Sequence, residues 1–362
     1  MALPSGLAAS VGFATESTQG TAQTPDHFLD FNKESMKMGK KTKTGQGLRG
    51  GGLFERSSRR VVTNWDPAGG FDFDAPFSGL GLMLQHMAGG FGNFYSIVQQ
   101  SASAAYLQTI TPGPLTGKTM TVQVGKPDSS GTVRPFTYVG SKITEWTLTS
   151  ELEQMANIAL NLNAWQELTP DNPQGTSAGP ALTSPTYTSG QQFFHFTQGT
   201  IYNSGTLSNT GSNPVITALG SPVAAGYIKK IEIKGMNAVD TSRYFFGGTG
   251  GSAVPGVKGD QLENNFRKIS GQLDVEFNSL TGFYDTFAGD TTTTLELIFT
   301  GPLIASTFHY SLAVLIPAVK FDDGEPEVGG PGVVNMNVPF SGYDGEVYNP
   351  IQFQYMSTDM AA

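Results

Sequence analysis

Three segments far apart in the chain alternate apolar and polar residues with a period of two. In Asn157–Ala164 (NIALNLNA), Ile158, Leu160 and Leu162 fall on one side, and Asn157, Asn161 and Asn163 on the other. In Gly271–Asn278, Leu273, Val275 and Phe277 oppose Gln272, Asp274 and Glu276. In Leu295–Phe299, Leu295, Leu297 and Phe299 oppose Glu296. Only a strand with one dry and one wet face needs this period, because successive side chains of a strand point to opposite faces. Half-buried strands of this kind belong to antiparallel sheets. The chain is therefore read as mainly β, a sandwich or barrel.

Composition agrees. Of 362 residues 46 are glycine, and only 14% are charged against 38% hydrophobic. That is too few charges for a disordered chain and enough apolar surface for a core. The absence of cysteine removes disulfides and thiolate chemistry and is compatible with folding in a reducing cytoplasm. No run of eighteen apolar residues predicts a membrane helix, and the opening MALPSGLAASVGF lacks the basic and apolar regions of a secretory signal.

Along the chain, residues 1–26 read as an extended arm. A first strand is expected over His27–Met38, then a basic glycine-rich loop over about 39–60, then a returning strand, Arg60–Trp65, which makes the loop the long tip of a hairpin. Leu80, Leu84 and Met87 recur at helical spacing before Gly89–Gly90, which predicts one helix over about 77–89. Thr119–Val124 and Arg134–Thr149 read as strands joined by the turn GKPDSSG, so residues 27–167 form a first part of the β core. Residues 168–225 are rich in Thr, Ser, Gly and Pro with a single charge, Asp171, and read as an insertion with some strand content. Strands resume over 226–362 and end with IQFQY, Ile351–Tyr355.

No stretch carries a complete catalytic, cofactor or metal frame. TPGPLTGKTM (111–120) resembles a phosphate loop, but Pro112 stands where the first glycine is needed and a strand follows where a helix must open. His27, His86, His195 and His309 have no second ligand at metal spacing, and no G-x-S-x-G elbow occurs. The acidic turn at Asp322, Asp323, Glu325 and Glu327 lacks calcium-loop spacing, which favours a solvated loop over a weak cation site.

The remaining feature is Gly45–Arg60, GQGLRGGGLFERSSRR, with five glycines and four arginines. Lys33–Arg60 holds nine Lys/Arg against Glu34 and Glu55, a net of +7, which leaves −16 for the rest of a chain whose total is −9. An RNA-binding segment would need repeated RGG units and several stacking aromatics; one RGG and one aromatic, Phe54, are present. An arm that meets an acidic protein surface fits better. Glycine lets the backbone conform, Arg49, Arg56, Arg59 and Arg60 offer bidentate pairing with carboxylates, and Leu53 and Phe54 can anchor. A solvated hairpin tip without a partner is the alternative.

The order GFATEST–GTAQTP, HFLDFNKESMKM, GLRGGGLFERSSRR, FSGLGLMLQHMAGG and LTGKTMTVQVGKPDSSGTVRPFTYVGSKITEW resembles the tail tube proteins of long-tailed, siphovirus-type phages. The first 165 residues carry the specific part of that resemblance. It implies a β-sandwich or barrel with one flanking helix, and a structural rather than enzymatic role without cofactor. It also implies homohexameric rings stacked into a tube in the virion tail, assembled in the host cytoplasm. The tube would enclose the tape-measure protein, meet tail terminator and distal tail proteins, and pass DNA without binding it. The long hairpin loop would reach between rings. Two other readings fit the composition: a different β-rich phage structural protein, from a distal tail ring or a capsid decoration, and a carbohydrate-binding or hydrolase β domain. Tube formation by the pure protein would separate the first from the tail tube reading, and glycan binding or turnover would support the second.

Overall fold

The computed structural model describes residues 5–171, 178–209, 215–246 and 256–362. Their fold follows the alternating pattern. Ala68–Asp74, Asn157–Asn163, the second half of Val133–Glu151, Ile228–Met236, Lys268–Glu276 and Asn335–Gly342 pair side by side, all antiparallel. Gly199–Asn203, Thr293–Ala305, Phe308–Phe321, Gln352–Ser357, Tyr106–Ile110 and Tyr95–Gln99 make a second layer. The apolar sets predicted from the sequence meet between them. Ile158, Leu160 and Leu162 join Leu273, Val275, Leu295, Leu297 and Phe299 in one buried cluster. Trp146 of one layer meets Phe353 of the other edge-to-face, with ring centroids 5.4 Å apart. Among the described residues the strand pairings branch but never return to their start, so the architecture is a sandwich and no barrel closes within one chain.

Val133–Glu151 belongs to two sheets. Its first half pairs with Met120–Pro127, and the register breaks between Tyr138 and Ser141. From Lys142 onward it pairs with Asn157–Asn163. Gly140 sits at this corner with φ +64, and a Cβ there would lie 2.4 Å from the Trp165 ring, so the bend admits only glycine.

The corner is held by Glu16. Its buried carboxylate accepts hydrogen bonds from the Gly140 amide (2.8 Å), the Gly20 amide (2.7 Å), Thr119 Oγ1 (2.6 Å) and Thr121 Oγ1 (3.0 Å). The GFATEST stretch thus ties the N-terminal segment to the core. Residues 1–26, read as an arm, depart from that reading: Ser10–Thr15 is an inner strand, paired with Met120–Pro127 on one side and His27–Phe28 on the other. Burial on both faces removes the alternation that would have announced it.

Other elements also differ from expectation. His27–Met38 is two short strands, His27–Phe28 and Lys33–Glu34. The helix is Gly81–Ala88, shorter than expected, ended by Gly89 at φ +72 and buried along its whole length. His86 is on it, 3.0 Å from Thr15 Oγ1, and burial lowers the imidazole to about 3, which keeps it neutral. A second helix, Phe283–Ala288, packs Phe283 on Phe321. Within 168–225, Gly199–Asn203 is a layer strand and Phe194 is fully buried; the parts of that segment at 172–177 and 210–214 lie outside the described residues.

Candidate assembly surface

The basic segment forms a hairpin of its own. Lys40–Thr44 pairs with Arg60–Trp65 as a two-stranded ribbon that joins neither layer. The expected partner of the returning strand, His27–Met38, is thus replaced by a shorter strand that begins just after Gly39. Gly39 has φ +61, and a Cβ there would strike the Asp66 carbonyl at 1.9 Å.

The foot of the ribbon is fixed by a buried ionic network that sequence reading missed. Asp66 Oδ1 accepts from Lys258 Nζ (2.5 Å) and Asn163 Nδ2 (3.0 Å), and Asp66 Oδ2 accepts from Lys41 Nζ (2.6 Å). Lys258 Nζ also donates to Asn163 Oδ1 at 2.5 Å. Beside it, Lys142 Nζ donates to Asp260 Oδ1 (2.5 Å) and to the Gln261 carbonyl (2.7 Å). Tyr244 donates its hydroxyl to the Trp65 carbonyl at 2.7 Å. The side chains of Lys142 and Lys258 are 0% exposed. Burial on its own would raise the Asp66 carboxyl, but the donors Lys258, Lys41 and Asn163 outweigh it and hold Asp66 at about 2. Burial pulls both lysines below their ordinary value, offset in part by Asp260 for Lys142 and Asp66 for Lys258. A lone lysine in SKITEW or GVKGD gives no local signal of burial; the acidic partners lie far away in sequence.

Beyond the foot, the ribbon is bare. Leu53 is 91% and Phe54 89% exposed, and Leu48, Val61 and Val62 are exposed as well. The predicted contact residues do not behave alike. Arg59 donates to the Gly47 carbonyl and closes its own loop. Arg60 reaches Thr42 Oγ1 at 3.5 Å, across the ribbon. Among the described residues, Arg49 and Arg56 form no ion pair with an acidic side chain.

The chemical near-misses resolve as turns. Gly117 lies in a turn at φ +76 before the strand that starts at Met120, and its amide donates to Asp260 Oδ2 at 3.3 Å. In the acidic turn, Asp323 accepts from the Gly324 and Glu325 amides, and Asp322 from Ser341 Oγ. Among the described residues no three His, Asp or Glu side chains converge as metal ligands, and no helix is long and apolar enough to cross a membrane.

Comparison with curated proteins gives no match. Among solved structures, one matching chain is described as the crystal structure of Hcp protein, with 9% identity, 39% of this chain and 86% of that chain covered, and a TM-score of 0.23. The family described as phage tail tube protein matches residues 6–342, nearly the whole chain. The chain belongs to that family, and it is a structural component of a virion tail tube, not an enzyme.

Proposed function

We propose that six copies of this chain close into a ring, that rings stack into the tube of a siphovirus-type tail, and that the hairpin 39–60 bridges one ring to the next. The observation that carries this reading is the bare ribbon. A two-stranded hairpin alone is marginally stable in water, yet this one exposes Leu48, Leu53, Phe54, Val61 and Val62 next to Arg49 and Arg56, which have no carboxylate partner among the described residues. Such a surface is satisfied by a partner with apolar hollows and carboxylates, and a body that is acidic outside this segment supplies the carboxylates. The tube encloses the tape-measure protein, meets terminator and distal tail proteins at its ends, and is assembled in the host cytoplasm.

The solvent face of the six-stranded layer supports a role as a DNA conduit. Across neighbouring strands it presents Asp74, Asn157, Thr149, Glu232 and Gln272 in one row, and Glu151, Lys230, Asp274 and Asn337 in another. Such a surface, acidic on balance and rich in amides and hydroxyls, repels phosphate and lets a duplex slide.

Negative-stain imaging of the concentrated protein tests the reading: stacked rings with sixfold projections are expected. Arg49→Glu with Arg56→Glu should abolish tubes and leave the subunit folded. A like charge forced into a desolvated contact costs about 2–5 kcal/mol, whereas an exposed loop charge costs about 1 kcal/mol or less. Normal tubes from the double variant would reduce the hairpin to a solvated tip.

A further inference from the structure

The hairpin leaves one end of the six-stranded layer, and a cleft lined by both apolar and charged side chains opens at the other. Ala68, which follows the ribbon's foot, pairs with Asn163, and Asn163 pairs with Lys142. At the far end of the same strands Asp74 pairs with Asn157, and Glu151 with Lys230. Nine residue steps along the strand separate Lys142 from Glu151, roughly 30 Å.

At that far end a cleft of about 210 Å³ lies between the turn after Glu151 and the strand Gly199–Asn203. Leu152, Phe196, Ile201, Tyr227 and Leu297 line it. Tyr227 is 63% exposed, and Leu152 and Met155 are also open to solvent. The charge around it is acidic. Lys229 and Lys230 are taken up by Glu276 (2.7 Å) and Glu151 (3.4 Å). Exposed Glu153, and Asp274 in the adjoining hollow, have no cationic partner among the described residues.

We infer that this cleft receives the hairpin tip of a second copy, with Leu53 and Phe54 entering between Leu152 and Tyr227, and Arg49 and Arg56 facing Glu153 and Asp274. The inference rests on the stacking reading above and names the surface that reading requires. Apolar residues and charges are complementary on the two sides. The placement also has the right symmetry: a contact between opposite ends is heterologous and repeats along an axis, whereas a contact between like ends stops at two. A larger hollow of about 420 Å³ beside Met236, Phe266 and Ile269 is a poorer receptor. It lies at the hairpin's own end, since Met236 pairs with Glu145 and Lys268, so a tip seated there would join like ends and could not repeat along an axis.

The chain has no cysteine, so an introduced pair reports one contact. Tubes of Phe54→Cys/Leu152→Cys, oxidised and run under denaturing conditions, should give a ladder of linked subunits that neither single variant gives. Charge exchange gives an independent reading. Arg56→Glu and Glu153→Arg should each lower tube yield at least about tenfold, and their combination should restore it to within about threefold of wild type. Double-cysteine tubes without a ladder, or wild-type yield from Glu153→Arg, overturn the receptor assignment and leave stacking intact. Failure of the wild-type protein to form tubes at all overturns the stacking reading, and this inference with it.

Discussion

Lys258 Nζ lies 2.5 Å from Asp66 Oδ1 and 2.5 Å from Asn163 Oδ1, at the point where the hairpin leaves the sandwich. Its segment is remote in sequence from the hairpin, yet it closes the foot from the other side, where the Trp65 amide also donates to the Gly256 carbonyl at 2.9 Å. The ribbon is therefore rigid at its base and unsupported at its tip. An element that must present a contact surface at a fixed place, and order fully only on contact, needs that division.

Lys258→Met removes one of the two ammonium groups on Asp66 and leaves Asn163 Oδ1 without that donor. Breaking a buried pair from one side costs about 3–5 kcal/mol. The lower end applies, because Lys41 still reaches Asp66 Oδ2 and the Asp66 side chain is 23% exposed. The expected result is a lower urea midpoint together with protease cleavage near residues 39–45, where the foot opens. A variant as stable as wild type would mean that the network is neutral and only positions the ribbon.

Gly140→Ala should be among the most damaging single-methyl changes. The residue must hold φ +64 and would drive its Cβ to 2.4 Å from the Trp165 ring. A left-handed non-glycine costs about 1–2 kcal/mol and overpacking about 1–3 kcal/mol. The same shift would disturb the amide that donates to Glu16 Oε1 at 2.8 Å. A chevron or urea titration showing a loss under about 1 kcal/mol would contradict the corner as described.

Much of the sandwich was legible because its strands are half wet. Leu160, Leu273 and Leu297 announce themselves by the polar residues between them. Ser10–Thr15 did not, since SVGFAT is covered on both faces and small residues resemble linker. Phe283–Ala288 is too short to show a helical period. The hairpin was legible from its glycines and returning strand, but its true partner, KKTKT, reads as a run of charges. Arg59 was grouped with the outward arginines because sequence gives no sign that it bonds the Gly47 carbonyl. The buried lysines were invisible for a related reason: a lysine is recognised as internal only by the carboxylate it meets, and Asp66 and Asp260 are brought to Lys258 and Lys142 by the fold.

Residues 45–59 should exchange amide hydrogens quickly in the free subunit and slowly in the tube. The tip is glycine-rich, and fixing its backbone costs about 1–2 kcal/mol per residue, which a solvated loop does not recover. Amides of Asn157–Asn163, paired on both sides within the layer, should be protected equally in the two states. Equal exchange of the tip before and after assembly would make the loop a permanent part of the subunit fold.

Acid should unfold the subunit in a window set partly by Asp66. Its carboxyl is held at about 2, below the unfolded value of about 3.9. A depressed acid contributes stability that is fully present above the unfolded value and is lost as pH falls toward the folded one. The loss therefore runs from about pH 4 down to about pH 2. Asp128, held at about 2 first by Ser130 Oγ and then by Arg134 and backbone amides, acts in the same window from an exposed turn. Glu16 has the opposite sign. Burial raises it despite its four donors, so the native state binds its proton more readily than the unfolded chain, and stability falls as pH rises through the range just above the usual glutamate value. Urea midpoints measured from pH 2 to pH 7 should thus show a steep loss below pH 4 that Asp66→Asn flattens. Glu16→Gln should remove the decline above the glutamate range, while lowering stability throughout because an amide NH2 cannot accept from the Gly20 or Gly140 N–H. An unchanged acid limb in Asp66→Asn would show that its ion pairs with Lys258 and Lys41 contribute no net stability, and that other carboxylates set the acid limit.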